Sequence, residues 1–545
     1  GKGGIVQRKS AWIVCGLASA VLAACSPSTP EPAASAGSTD DRTSVSITVD
    51  AATPGPVINR HLFGQFAEHL GTGIYGGVWV GRDSPIPNTR GIRNDVVAAL
   101  RAIKVPNVRW PGGCFADYYH WRHGIGPRRA VTLNPDWGGV TEPNTFGTHE
   151  FMDFAAQIGA DPFISLNVGS GTVQEGADWM EYMTSDQPTT LAQERAANGR
   201  KEPWLVPILG IGNESWDCGG NMTPEYYVDH MKMHARFARN YHPEQQEGDK
   251  RMLRIAVGPG GGEPRFTEWT ETVMKAWTNR KWSWDIEGIS LHNYTVIDWE
   301  DKHVATDFDE QGYAEILQAT LKMDGLIRQH TAIMDKYDPD RKLMLAVDEW
   351  GAWYAPAPGT NPGFLSQQNS LRDAVLAALN INIFARHADR VRIANIAQMV
   401  NVLQAMILTD GPRMLLTPTY HVFRMYLPFQ DATFLPVSFD AGSWTHGDIT
   451  LPRVDAIAAR DTEGNLVLAL TNVDPSRPVE IDVALQGASG GSVTGETLTG
   501  PRVDSINTFD APQTVVPKPL QASLTGNRLT ATLEPKSVSV LVIRP

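Results

Sequence analysis

Two glutamates stand where apolar runs stop. Glu214 follows the run Leu205-Val206-Pro207-Ile208-Leu209-Gly210-Ile211 and the pair Gly212-Asn213, and Glu349 follows Lys342-Leu343-Met344-Leu345-Ala346-Val347-Asp348. Paired carboxylates delivered by the ends of two buried strands suit the cleavage of a glycosidic bond. One protonates the leaving oxygen, and the other attacks the anomeric carbon or activates water. A lone strand-end glutamate more often serves an ion pair. Two of them, with Asn213 before the first and Trp350 after the second, favour catalysis.

Other apolar runs end in polar and aromatic residues of the same kind. They are Gln65-Phe66-Ala67-Glu68-His69, Arg109-Trp110-Pro111-Gly112-Gly113-Cys114, His292-Asn293-Tyr294 and Gln398. In a (β/α)8 barrel the active-site groups come from the C-terminal ends of the strands. Strands four and seven face each other across a narrow interior, so Glu214 and Glu349 are expected about 5 Å apart, the separation of a retaining glycosidase. In that reading Glu349 is the nucleophile, and its charge raises the pKa of Glu214, which acts first as acid and then as base. Arg109 is placed to keep Glu349 ionised. His292, Tyr294 and Gln398 are candidate substrate contacts, and Trp353 offers an aromatic face to a sugar ring. Trp350 and the pair His149-Glu150 are read as structural.

Positioning these groups requires eight strands separated by helices. Strand candidates are His61 to Phe66, Pro106 to Trp110, Pro162 to Val168, Leu205 to Ile211, Met252 to Val257, Ile286 to Leu291, Leu343 to Val347 and Val391 to Gln398. Helical periodicity is clearest in Asp95 to Ile103, Pro224 to Tyr241, Tyr313 to Tyr337 and Leu371 to Ala388. The spacing predicts an α/β fold, a (β/α)8 barrel over 59–415. From 416 to 545 short alternating segments between Gly, Pro, Asp and Asn predict a C-terminal antiparallel β-sandwich. Residues 45–58, which begin Val45-Ser46-Ile47-Thr48-Val49, are expected to complete that sandwich with an N-terminal strand.

The chain has 545 residues and a formal charge of -13, which disfavours a nucleic-acid partner. Residues 1–25 resemble a lipoprotein signal: Lys2, Arg8 and Lys9, a mostly apolar stretch, then Leu22-Ala23-Ala24-Cys25. The expectation is an exported chain, periplasmic or anchored to the outer membrane through lipid on Cys25, with 26–44 as a flexible tether. Cys114 and Cys218 remain in the body of the chain. A bridge between them is disfavoured because both lie in loops needed for the site, and neither has metal-ligand spacing. There is no His-Glu-x-x-His or Cys-x-x-Cys, so no metal and no cofactor are expected. Three formal glycosylation sequons, at Asn213, Asn221 and Asn293, are discounted, two of them because they fall in the expected pocket.

Longer motifs resemble a known family. Arg109-Trp110-Pro111-Gly112-Gly113-Cys114-Phe115-Ala116-Asp117-Tyr118-Tyr119-His120-Trp121, Phe146-Gly147-Thr148-His149-Glu150-Phe151, Gly212-Asn213-Glu214 and Asp348-Glu349-Trp350 are together similar to glycoside hydrolase family 51. The resemblance implies a retaining, exo-acting α-L-arabinofuranosidase with a barrel and a sandwich. Its substrate would be arabinoxylan, arabinan or their oligosaccharides. It also implies Glu214 as acid/base, Glu349 as nucleophile and Asn213 on the 2-hydroxyl. Glu68, Tyr294 and Gln398 would bind the terminal arabinofuranose, Trp353 would border the subsite, and Cys114 would be a polar sugar contact. Family members are often hexamers. An endo-β-glucanase or xylanase on the same scaffold is the enzymatic alternative, and a non-catalytic glycan-binding surface lipoprotein is the other.

Overall fold

The computed structural model describes residues 41–545. The expected signal, Cys25 and most of the tether lie outside them. All eight strand candidates contribute to one closed parallel barrel. In chain order the strands are Gly64–Phe66, Asn107–Trp110, Asp161–Ser165, Ile208–Ile211, Leu253–Ala256, Gly288–Thr295, Met344–Ala352 and Val391–Ala397. Their residues are almost all buried, as expected of parallel strands covered by helices on one face and a filled barrel on the other. Phe163, Ile208, Ile255, Met344, Ala346 and Ile393 form an apolar layer that plugs the interior. Asn395 donates to Asn107 at 2.7 Å inside the barrel, level with Gly64 at the start of strand one, and the polar side chains of the site gather above the apolar layer, at the C-terminal ends.

The helices follow their capping chemistry. Asn94–Ala102, Pro224–Phe237, Glu310–Tyr337 and Leu371–Arg386 correspond to the expected periodic segments. Thr223 accepts a hydrogen bond from the Tyr226 amide with Pro224 in the first turn, and Asp309 caps Gly312 in the same way. Every residue of Leu371–Arg386 except Arg386 is buried, which an amphipathic surface helix would not allow. This helix lies between barrel and sandwich. Asn382 donates to Asp455 at 2.9 Å and accepts from the Tyr426 hydroxyl at 2.8 Å, and Arg386 pairs with Asp455.

Two sheets make the C-terminal domain. One has five strands in the order Val437–Phe439, Ser44–Asp50, Val479–Gln486, Arg528–Leu533 and Ala522–Thr525. The other has six: Thr433–Leu435, Val454–Arg460, Leu466–Asn472, Ser537–Arg544, Ser492–Leu498 and Lys518–Pro519. Val45, Ile47 and Val49 point into the core between them, so the N-terminal strand completes the sandwich through its period-two alternation. The domain is not wholly antiparallel, because Ser44–Asp50 runs parallel to Val479–Gln486, with Val45 opposite Ile481.

Candidate active site

Strand seven carries both Asp348 and Glu349, and strict alternation would send one of them out of the barrel. The register solves this. Ser290 lies opposite Ala346 but His292 opposite Glu349, and Val347 lies opposite Ala394 but Trp350 opposite Ile396. Three steps of strand seven thus match two steps of each neighbour, a bulge that re-aims consecutive side chains. Asp348 and Glu349 are both buried. On strand four the chain turns sharply after Ile211: Gly212 has φ of 101° and Glu214 one of 40°, an uncommon conformation for a residue with a side chain.

The two glutamates meet over the apolar plug. A carboxylate oxygen of Glu214, one of Glu349 and a ring nitrogen of His292 all lie within 4.8 Å of one another. Arg109 donates from one terminal nitrogen to Glu349 Oε2 at 3.0 Å and from the other to Asn213 Oδ1 at 2.6 Å. The Tyr294 hydroxyl donates to Glu349 Oε1 at 2.5 Å. Both nitrogens of His292 are taken, Nδ1 by Glu214 Oε2 at 2.7 Å and Nε2 by Asp348 Oδ1 at 2.7 Å. His292 therefore orients carboxylates rather than standing free for a substrate.

Electrostatics follow from this packing. Burial, then the neighbouring charge of Glu349, raise the pKa of Glu214, while the hydrogen bond and charge of His292 pull against them. Burial opposes the charge of His292, but Glu349 and Asp348 outweigh it and push the imidazole up to about 10. Burial also works against ionisation of Asp348, yet Arg109 and His292 hold its carboxyl below the usual range.

A second polar cluster lies alongside. Glu68 accepts from the Phe115 amide at 3.0 Å, the Trp137 indole at 3.2 Å and the Gln398 side chain at 3.1 Å. Burial and then Glu349 push its carboxyl up to about 8, against the opposing effects of the Phe115 hydrogen bond, Arg109 and Gln398. The Gly112-Gly113 pair makes room for it, since a Cβ at either position would stand 2.8 Å from the Glu68 carboxylate. Trp353 packs edge-on against Tyr294 at 5.0 Å and against Trp299 at 5.2 Å, with Trp137 6.5 Å away.

The expected site residues Glu68, Arg109, Asn213, Glu214, His292, Tyr294, Glu349, Trp353 and Gln398 are thus linked in one neighbourhood. Sequence reading passed over Asp348 and Trp137. The first had a signal in its adjacency to Glu349, whereas the second sits in a loop and had none. Trp350 packs against Phe384 and Phe423, and His149 and Glu150 are engaged by Tyr182 and Arg129, as structural residues should be.

One expectation is corrected here. Cys114 and Cys218 are bridged, with Cα atoms 5.6 Å apart. Their membership in two site loops, taken as a reason against pairing, is what brings them together. Cys114 opens the short turn after strand two, and Cys218 lies in the turn after Asn213-Glu214.

A closed parallel barrel with two facing carboxylates at its C-terminal mouth belongs to the barrel glycoside hydrolases. The α-L-arabinofuranosidase C-terminal domain family matches residues 348–537, and the α-L-arabinofuranosidase 1 domain family matches 99–247. An enzyme of Bacteroides ovatus, named an intracellular exo-α-L-arabinofuranosidase, is 43% identical over 92% of this chain and 96% of its own length. One of Streptomyces lividans, named an intracellular exo-α-(1→5)-L-arabinofuranosidase, is 31% identical over 90% of this chain and 74% of its own. The crystal structure of the GH51 arabinofuranosidase from Xanthomonas axonopodis pv. citri is 50% identical, with a TM-score of 0.88 over 92% of this chain and all of that one. The chain belongs to the α-L-arabinofuranosidases of glycoside hydrolase family 51.

These relatives overturn the expectation of an exported, lipid-anchored protein, because both bacterial enzymes are named as intracellular. The reading as a non-catalytic surface lipoprotein falls with it. Among the described residues no helix is long and apolar enough to cross a membrane.

Proposed function

We propose that this enzyme releases terminal non-reducing α-L-arabinofuranosyl groups from arabinoxylan, arabinan or derived oligosaccharides, one at a time and with retention of configuration. The observation that carries the reading is the approach of Glu214 and Glu349, within 4.8 Å between carboxylate oxygens. That spacing suits direct attack by one carboxylate and is too tight for the intervening water of an inverting enzyme. The exo mode draws support from the B. ovatus relative, which is named for it.

In the first step Glu349 attacks the anomeric carbon while Glu214 gives its proton to the departing oxygen, which leaves as the hydroxyl of the shortened chain. Glycosylation removes the Glu349 charge, so Glu214 becomes more acidic and is left as a base. Water then gives its proton to Glu214, attacks the same carbon, and frees arabinose and the Glu349 carboxylate. Arg109 and Tyr294 hold Glu349 aimed through the two bonds above. Asn213, itself fixed by Arg109, is the contact for the 2-hydroxyl. Glu68 and Gln398 bind the far hydroxyls of the sugar, and Trp353 borders its ring.

The test is product analysis on debranched arabinan, arabinoxylan and an aryl arabinofuranoside, with the anomer of the first product read by proton NMR. Free arabinose, released first as the α anomer, is the expected result. Shortened oligosaccharides without free arabinose would mean an endo-acting enzyme, and an initial β anomer would rule out retention.

A further inference from the structure

Cys218 Sγ lies 3.7 Å from Glu214 Oε1 and 3.6 Å from Asn213 Nδ2. Cys114, Cys218 and Glu214 each present a ligand atom within 4.8 Å of the other two, and all three are half-buried, within reach of solvent. The carboxylate is already divided. Oε2 is held by His292 at 2.7 Å, and Oε1 faces the sulfur. As a disulfide the pair carries no charge and is a poor ligand. Opened, it gives two thiols that ionise to strong ligands for soft and borderline cations.

We propose that reduced Cys114 and Cys218, together with Oε1 of Glu214, form a binding site for a thiophilic divalent cation such as Zn2+, which the disulfide closes. Only the consequence for catalysis rests on Glu214 being the acid/base. A dithiol reductant supplies two electrons and two protons. The S–S bond breaks, two S–H bonds form, and the reductant becomes its own disulfide. Zn2+ then displaces the two thiol protons and the carboxyl proton of Glu214 into solvent, forms two Zn–S bonds and one Zn–O bond to Oε1, and takes water as fourth ligand. A tetrahedral zinc with bonds of ~2.3 Å sets its sulfurs ~3.8 Å apart, close to the non-bonded contact that the two sulfurs reach once the covalent bond is gone. His292 on Oε2 and the Asn213 amide beside Cys218 supply the outer hydrogen bonds that such sites use to orient their ligands. With the ion in place Glu214 has no proton to give, its Oε1 is bound to the metal, and its weakened basicity leaves it a poor base for activating water.

The bridge would otherwise be no more than a staple between two loops. To separate these, the enzyme is reduced with a dithiol, freed of reductant under nitrogen and compared with the disulfide form. Zn2+ is expected to slow release of arabinose from an arabino-oligosaccharide about a hundredfold in the reduced form, the scale of a lost general acid, and a chelator restores it. The disulfide form keeps its rate. Cd2+ should give the ultraviolet thiolate-to-metal absorption in the reduced form alone, at one ion per chain. That readout needs no turnover, so it also reports if the assignment of Glu214 fails. In Cys218→Ser and Cys114→Ser the absorption is lost, and so is the zinc effect relative to each variant's own zinc-free rate. Equal zinc sensitivity of the disulfide form, or a reduced form that takes up no cadmium at its thiols, overturns the proposal.

Discussion

Arg109 reaches across the barrel to Glu349 at 3.0 Å while both side chains are almost fully withdrawn from water. Its other terminal nitrogen holds Asn213, so one fork fixes the ends of strands four and seven together. Removing such a guanidinium leaves Glu349 and Asp348 buried beside His292 alone, two acids to one cation. Arg109→Met is therefore expected to lose about 3–5 kcal/mol of stability, read by denaturant unfolding at neutral pH. Arg109→Lys keeps a charge but cannot bind both partners in a fork, so it should recover part of the stability and little of kcat/KM. Lysine restoring full activity would show that only the charge matters.

The barrel and its strand-end carboxylates were legible because they rest on patterns that survive in one dimension. Eight apolar runs, six of them ending in polar or aromatic residues, need no knowledge of neighbours. The bulge that turns Asp348 inward beside Glu349 is different in kind, since it exists only as a mismatch with strands six and eight. For the same reason His292 read as a sugar contact, although it spends both nitrogens on carboxylates from strands four and seven. The helices at Thr148–Ile158, Val173–Thr184 and Pro264–Thr278 are not among the segments singled out, although each buries an apolar face at helical spacing, as Phe266, Trp269, Val273, Met274 and Trp277 show. The disulfide runs against the expectation drawn from two loops needed for the site, because the barrel sets those loops side by side across 104 residues of sequence.

The two glutamates are distinguishable by the leaving group. Glu349→Gly removes the nucleophile and should abolish turnover of every arabinofuranoside. Glu214→Ala should lower kcat/KM about 10²- to 10⁴-fold on oligosaccharides, where the departing alkoxide needs a proton. On a dinitrophenyl arabinofuranoside, whose leaving group departs as an anion, the first step of Glu214→Ala survives and a burst of phenolate precedes slow hydrolysis. Full activity in Glu349→Gly would end its assignment as nucleophile.

His292 lowers the pKa of Glu214 through a hydrogen bond and a positive charge, against burial and Glu349, which raise it. Replacing it by a neutral amide removes the lowering contribution and leaves the raising ones. In His292→Gln the alkaline limb of the kcat/KM profile, where Glu214 loses the proton it must donate, should move to higher pH while the maximum rate falls. A limb that stays put or moves down would mean that another group controls it.

Glu68 couples binding to stability with a definite sign. Its carboxyl is pushed up from an ordinary 4.5 to about 8, so the folded chain holds this proton more tightly than the unfolded one. The stability contributed by the protonated form is complete below about pH 4.5 and is lost as the pH rises to about 8, where the group must ionise in place. The rise corresponds to roughly 3–5 kcal/mol. Glu68→Gln keeps an oxygen for the Phe115 amide and Trp137 and never ionises. Its advantage in thermal unfolding over the parent should therefore be near zero at pH 5 and largest at pH 9. Since Glu68 sits in the proposed sugar pocket, the same variant should bind arabinose more weakly by calorimetry. A parent whose stability matches Glu68→Gln at both pH values would show that Glu68 ionises without cost.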